Sequence, residues 1–184
     1  MKILFSFIII ALFAVSSGFA QQENPERDKA FEFYESGEYQ KAVEIFRTVV
    51  ETDKKDRRAW LFLALALAKT GKANDAIKAA RKGASISVKN VPPGAYDKEL
   101  KITSKPRASY TDEARKNQVT GMVRLVVEFG ADGKIKAILP VLGLPDGLTE
   151  MCIEAAKKIR FEPAWKNEKP VPVVTTIEYS FSVY

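Results

Sequence analysis

The chain has 184 residues, 46% hydrophobic and 28% charged, with Lys+Arg 29 against Asp+Glu 23 for a formal net charge of +6 and a single cysteine among no histidines. That length holds one ordinary domain or two small ones, and the basic excess is spread without a lysine/arginine block interleaved with aromatics, so no nucleic-acid binding is expected. The missing histidine removes the commonest general base and metal ligand, and a lone Cys152 leaves no intramolecular disulfide, so no enzymatic activity, metal or cofactor is expected.

The N-terminus opens Met1-Lys2, runs uncharged from Ile3 to Val15, and reaches Gly18 and Ala20 before Gln21. Residues 1–20 read as a secretory signal peptide, with the small residues placed before the cut. The alternative is an uncleaved inner-membrane anchor, since the apolar run approaches the ~17–25 residues a spanning helix needs. The first reading makes the protein periplasmic. The second holds it at the inner membrane facing the periplasm, and membrane contact is expected only in that case.

Gly71 follows Gly37 by 34 residues, and the same offset maps Ala30 to Ala64, Phe33 to Leu67 and Ala42 to Ala76. An offset of that length marks a helix-turn-helix repeat. Ala30, Phe33, Gly37, Tyr39, Ala42 and Phe46 in 23–56, then Trp60, Leu63, Ala64, Leu67, Gly71, Ala76 and Ala80 in 57–90, resemble tetratricopeptide repeats. Small residues let paired helices approach, and each glycine falls where one helix stops and the next begins. Two repeats need a cover for their open end, and Gly94 to Lys101, entered through Val91-Pro92-Pro93, is the candidate capping helix. The inward-facing Phe31, Tyr34, Arg58, Leu61 and Leu65 are either a groove for a peptide or partner or a surface packed against that cap.

Ile102 to Ser109 reads as an extended linker. Thr111 can cap a helix Asp112–Asn117. After Gly121, Val123, Leu125, Val127 and Phe129 alternate with Arg124, Val126 and Glu128. Asp132-Gly133 supplies a tight hairpin turn, and Ile135, Ala137, Leu139 and Val141 are expected to face the same core as the first set. Pro140 marks that second strand as an edge. Leu148 to Ile159 is an amphipathic helix holding Cys152 as a small buried hydrophobe, and Val173, Thr175, Ile177, Tyr179, Phe181 and Val183 alternate along a last strand. With one edge assigned, the last strand pairs beside the first and leaves the other edge open.

Tyr110-Thr-Asp-Glu-Ala114, Gly121 to Phe129 with Asp132-Gly133, Ile159-Arg-Phe-Glu-Pro-Ala164 and Lys169-Pro170-Val171-Pro172-Val173 before the closing aromatic strand resemble the TonB C-terminal domain. Thr111 stands where that family commonly has proline. The resemblance implies a domain that contacts outer-membrane receptors by adding their short peptide to its sheet. An exposed edge offers the same chemistry, at Val173, Val174, Thr175, Thr176, Ile177, Glu178 and Tyr179. A TonB proper also carries a functional histidine and a long proline-rich spacer, and this chain has neither.

The expected fold is α+β in two domains: tetratricopeptide-like helical hairpins with a capping helix over 23–101, a linker over 102–109, and a small ββαβ antiparallel-sheet TonB C-terminal-like domain over 110–184. The expected function is a non-enzymatic periplasmic adaptor binding envelope proteins or peptides, outer-membrane receptors among them, with a homodimer through the last strand as the rival occupant of the edge. The alternative is a membrane-anchored TonB-like energy transducer for transmembrane transport.

Overall fold

The computed structural model describes residues 24–87 and 96–182. The expected leader over 1–20 and the Val91-Pro92-Pro93 entry lie outside them. Among the described residues, no helix is long and apolar enough to cross a membrane.

Four helices come first: α1 (Pro25–Glu35), α2 (Tyr39–Thr52), α3 (Arg57–Lys69) and α4 (Ala73–Ser85). Asn24 caps α1 by accepting from the Arg27 N–H, and Asp56 caps α3 by accepting from Ala59 N–H at 2.9 Å, each satisfying a donor that has no partner within the helix. Gly37 turns α1 into α2 and Gly71 turns α3 into α4, at φ 83° and 78°, a region costly to residues with a Cβ. A Cβ at Gly71 would meet nothing within 4 Å, so Gly71→Ala is expected to cost about 1–2 kcal/mol of backbone strain alone, read as a lowered urea midpoint with an unchanged m-value. Ala30, Ala42, Ala64, Ala76 and Ala80 are fully buried where the helices touch, and Phe31, Phe46 and Phe62 fill the space between them with ring centroids 4.7–6.1 Å apart.

The second half contains β1 (Lys101–Ser104), α5 (Asp112–Lys116), β2 (Gly121–Phe129), β3 (Ile135–Leu142), α6 (Leu148–Ala156), β4 (Arg160–Glu162), β5 (Ala164–Lys166), β6 (Lys169–Val171) and β7 (Val173–Phe181). Thr111 caps α5 by accepting from Ala114 N–H at 3.1 Å. The main sheet has order β3-β2-β7 with both pairings antiparallel, so β2 is central, and Pro140 sits on an edge strand. The segment read as a linker is partly strand: β1 pairs with β4 through Ile102↔Phe161, and Lys98 and Lys101 both reach the Glu162 carboxylate, at 2.8 and 3.4 Å.

Two expectations are corrected. Residues 96–101 are not a capping helix, because Lys98 bridges Trp165 and Lys101 begins β1. The sheet covers the repeats instead: Val126, Val141 and Val174 belong to the same buried cluster as the helices, with Ala137 and Leu139 packed against it. The second correction concerns β3. Phe129 pairs with Ile135 but Glu128 with Ala137, an extra residue at Lys136. A one-residue slip moves every later side chain to the opposite face. Ile135 therefore stays with Val123, Leu125, Val127 and Phe129 against α6, while Ala137, Leu139 and Val141 turn to the repeats. The result is three layers, with repeat helices on one face of the sheet and α6 on the other.

Candidate functional site

The direction of each backbone group in the sheet follows from one hydrogen bond. Gly130 N–H donates to the Lys134 carbonyl at 2.9 Å where the β2–β3 hairpin closes. Polar groups alternate sides along a strand, so the even-numbered residues of β2 turn to β3 and the odd-numbered ones to β7. Across β2–β7 the pairs include Val123↔Tyr179, Leu125↔Ile177 and Val127↔Thr175. These odd residues of β7 close the inner ladder. Val174, Thr176, Glu178 and Ser180 then carry the N–H and C=O groups that point away from β2, and among the described residues no strand pairs with that side.

The side chains of β7 divide between the two cores. Ile177, Tyr179 and Phe181 pack toward α6. Val174 packs toward the repeats and is 4% exposed. Thr176 Oγ1 accepts from Arg57 Nη2 at 3.1 Å, and the Glu178 carboxylate pairs with Arg124 Nε at 2.6 Å. Val173 and Thr175 are half-buried at the strand's start. The seven edge residues thus share one strand, but only Val174, Thr176 and Glu178 among them present backbone groups for an added strand.

Lys105 is the residue the sequence reading missed. Its Nζ donates to the outward Glu178 carbonyl at 2.7 Å and lies 4.9 Å from the Tyr179 ring centre. It therefore occupies one of the acceptors an incoming strand would use. Beneath it, burial pushes the Tyr179 hydroxyl up to about 12 and the Cys152 thiol up to about 11, and the Tyr179 hydroxyl has no hydrogen-bond partner among the described residues. Both groups stay protonated at neutral pH, so Cys152 packs as an apolar side chain.

Of the five repeat residues read as either a groove or a packed surface, four are packed and Arg58 is half-buried. Phe31, Tyr34, Leu61 and Leu65 are at most 9% exposed and belong to the shared core. The Arg58 guanidinium lies 4.1 Å from the Phe31 ring centre and 5.7 Å from those of Phe62 and Tyr96. Tyr34 instead spans the two halves: its hydroxyl donates to Glu128 Oε2 at 2.8 Å. Glu128 is 6% exposed. Burial raises its carboxyl above the ordinary value, opposed by the Tyr34 hydrogen bond and by Lys69 and Lys136. Arg57, whose basicity burial lowers, and Arg81, whose Nε donates to the Val141 carbonyl at 3.1 Å, add further ties. Val141 is the unpaired residue of a second β3 irregularity, between Arg124↔Leu142 and Leu125↔Pro140, so Arg81 satisfies a carbonyl that the ladder leaves free.

Comparisons with known proteins divide the chain in the same way. Residues 33–89 match the tetratricopeptide repeat, and residues 106–183 match the family described as Gram-negative bacterial TonB protein C-terminal. The solution NMR structure of the Pseudomonas aeruginosa TonB CTD is similar at 25% identity and a TM-score of 0.39, covering 47% of this chain and 89% of that one. No curated protein matches the chain. The chain thus carries a segment over 106–183 that matches the TonB C-terminal family, preceded by a segment over 33–89 that matches the tetratricopeptide repeat.

Proposed function

We propose that the protein is a periplasmic adaptor that captures an extended segment of an envelope protein, an outer-membrane receptor being the leading candidate, by strand addition on β7. The observation that carries this is that β7 is paired on one side only among the described residues, with outward backbone groups at Val174, Thr176 and Glu178. Main-chain hydrogen bonds to such an edge supply affinity, and alternate side chains supply specificity. The TonB C-terminal match ties the chain to TonB-type envelope transport or protein interaction, and the leader-like residues 1–20 support export.

The buried repeat face narrows the repeats' part in this function. Phe31, Tyr34, Leu61 and Leu65 are used to hold the sheet, so any second partner of the repeats docks on their outer surface. Titrating the full chain with peptides from receptor N-termini tests the reading. Saturable NMR shifts centred on Val173 to Tyr179 are expected, and shifts confined to the helices would refute it.

Lys105 offers an internal check. Lys105→Met keeps the aliphatic stem and removes the ammonium that now holds the Glu178 carbonyl. Freeing that acceptor is expected to tighten peptide binding about two- to fivefold, the worth of one exposed charge-assisted contact, as measured by titration calorimetry.

A further inference from the structure

The opposite edge of the sheet has a feature that strand capture on β7 does not use. Ile135 and Ile138 of β3, Ile153 of α6 and Ile159 beyond it line an open groove whose rim includes Lys134, Lys136 and Lys157. Ile135, Ile138 and Ile153 are half-exposed over a buried Ile159.

The groove runs along backbone that, among the described residues, no strand pairs with. Ala137 and Leu139 lie opposite Glu128 and Val126, the β2 residues that turn to β3, whereas Ile138 lies opposite Val127. The Ile138 N–H and C=O therefore point away from the sheet. Pro140, opposite Leu125, occupies the next outward position and has no N–H to offer. Strand pairing is thus closed off beyond Ile138 and open before it, where the groove lies.

The rim decides the partner. Lys136 pairs with Asp132 at 2.7 Å and Lys157 with Glu154 at 2.5 Å, while Lys134 has no ion pair among the described residues. Lysines outnumber the carboxylates beside them. A second copy of this chain would bring the same lysines edge to edge, and like charges opposed across strands repel. We propose that the β3 edge from Lys134 to Ile138 docks a short acidic extended peptide, which pairs with the outward Ile138 backbone and seats an aliphatic side chain among Ile135, Ile138 and Ile153 while its carboxylates face Lys134, Lys136 and Lys157. This site is separate from the β7 edge, and the two can be filled together.

The test uses the full chain and a soluble peptide alternating glutamate and valine, with its lysine-for-glutamate counterpart as control. The expected result is saturable NMR shifts at Ile135, Ile138 and Ile153, slowed exchange of the Ile138 amide, and affinity that falls with added salt. Lys134→Glu is expected to weaken binding about two- to fivefold, Ile138→Pro to remove it, and Glu178→Pro on the other edge to leave it unchanged. Four results would overturn the proposal. They are no saturable change at those isoleucines, equal binding of the lysine peptide, self-association that Lys134→Glu abolishes, or shifts produced by phosphatidylglycerol vesicles and not by the peptide.

Discussion

Glu178→Pro is expected to weaken capture of an extended peptide at β7 by about tenfold or more, whereas Glu178→Ala is expected to leave it within about threefold. Proline removes an outward N–H worth about 0.5–1.5 kcal/mol, and its ring stands where the added strand must approach. Tenfold corresponds to about 1.4 kcal/mol. Alanine keeps the N–H and loses only the exposed pair with Arg124, worth little at a solvated surface. The same proline at Thr175 or Ile177 asks a different question, because those residues close the ladder with β2. There it would damage the sheet itself. Calorimetric titration of the two Glu178 variants, with thermal melts to confirm folding, separates an edge that binds from one that merely exists.

Tyr34→Phe is expected to destabilise the protein by about 1–3 kcal/mol at neutral pH, or about 2–4 °C in Tm per kcal/mol for a chain of this size. The loss arises because Glu128 remains buried between sheet and helices without its donor. The pH dependence has a definite sign. Burial raises the Glu128 carboxyl in the folded state, so between the ordinary carboxylate value and the raised one the native state holds more proton than the unfolded state. Stability therefore falls as pH rises through that window. Tyr34→Phe deepens the fall, and its penalty shrinks in acid, where the carboxyl is neutral. Glu128→Gln still accepts from Tyr34 and carries no charge to desolvate, so it is expected to flatten the profile and to match or exceed the parent above the window. Chemical denaturation of the three proteins from acidic to neutral pH reads this directly.

The terminal unit was largely legible because its signals are local. Asp132-Gly133 marks the hairpin, Thr111 marks a helix start, and Pro140 assigns an edge, each by a constraint within a few residues. The join between the halves was hidden for a physical reason. Alternation puts Arg124, Val126 and Glu128 on the face opposite the apolar set and says nothing of what covers it, yet Val126 is fully buried and Glu128 nearly so, because helices from the other half cover them. Equally, nothing in Phe31 or Leu61 distinguishes a residue lining a groove from one covered by a distant sheet. The extra residue at Lys136 reversed the faces of Ala137, Leu139 and Val141, which no alternation pattern announces. The strands β4, β5 and β6 have three residues each, too few for a period to show. Lys105 escaped notice because its role depends on the direction of one carbonyl.

The central claim is that the outer side of β7 takes up a strand. Hydrogen–deuterium exchange of the full chain with and without a captured receptor peptide tests it most directly, since protection requires a new backbone partner. The prediction is slowed exchange at the amides of Val174, Thr176 and Glu178, with little change at Thr175, Ile177 and Tyr179, which β2 already protects. Binding that leaves those three outward amides exchanging at their free rate would contradict it.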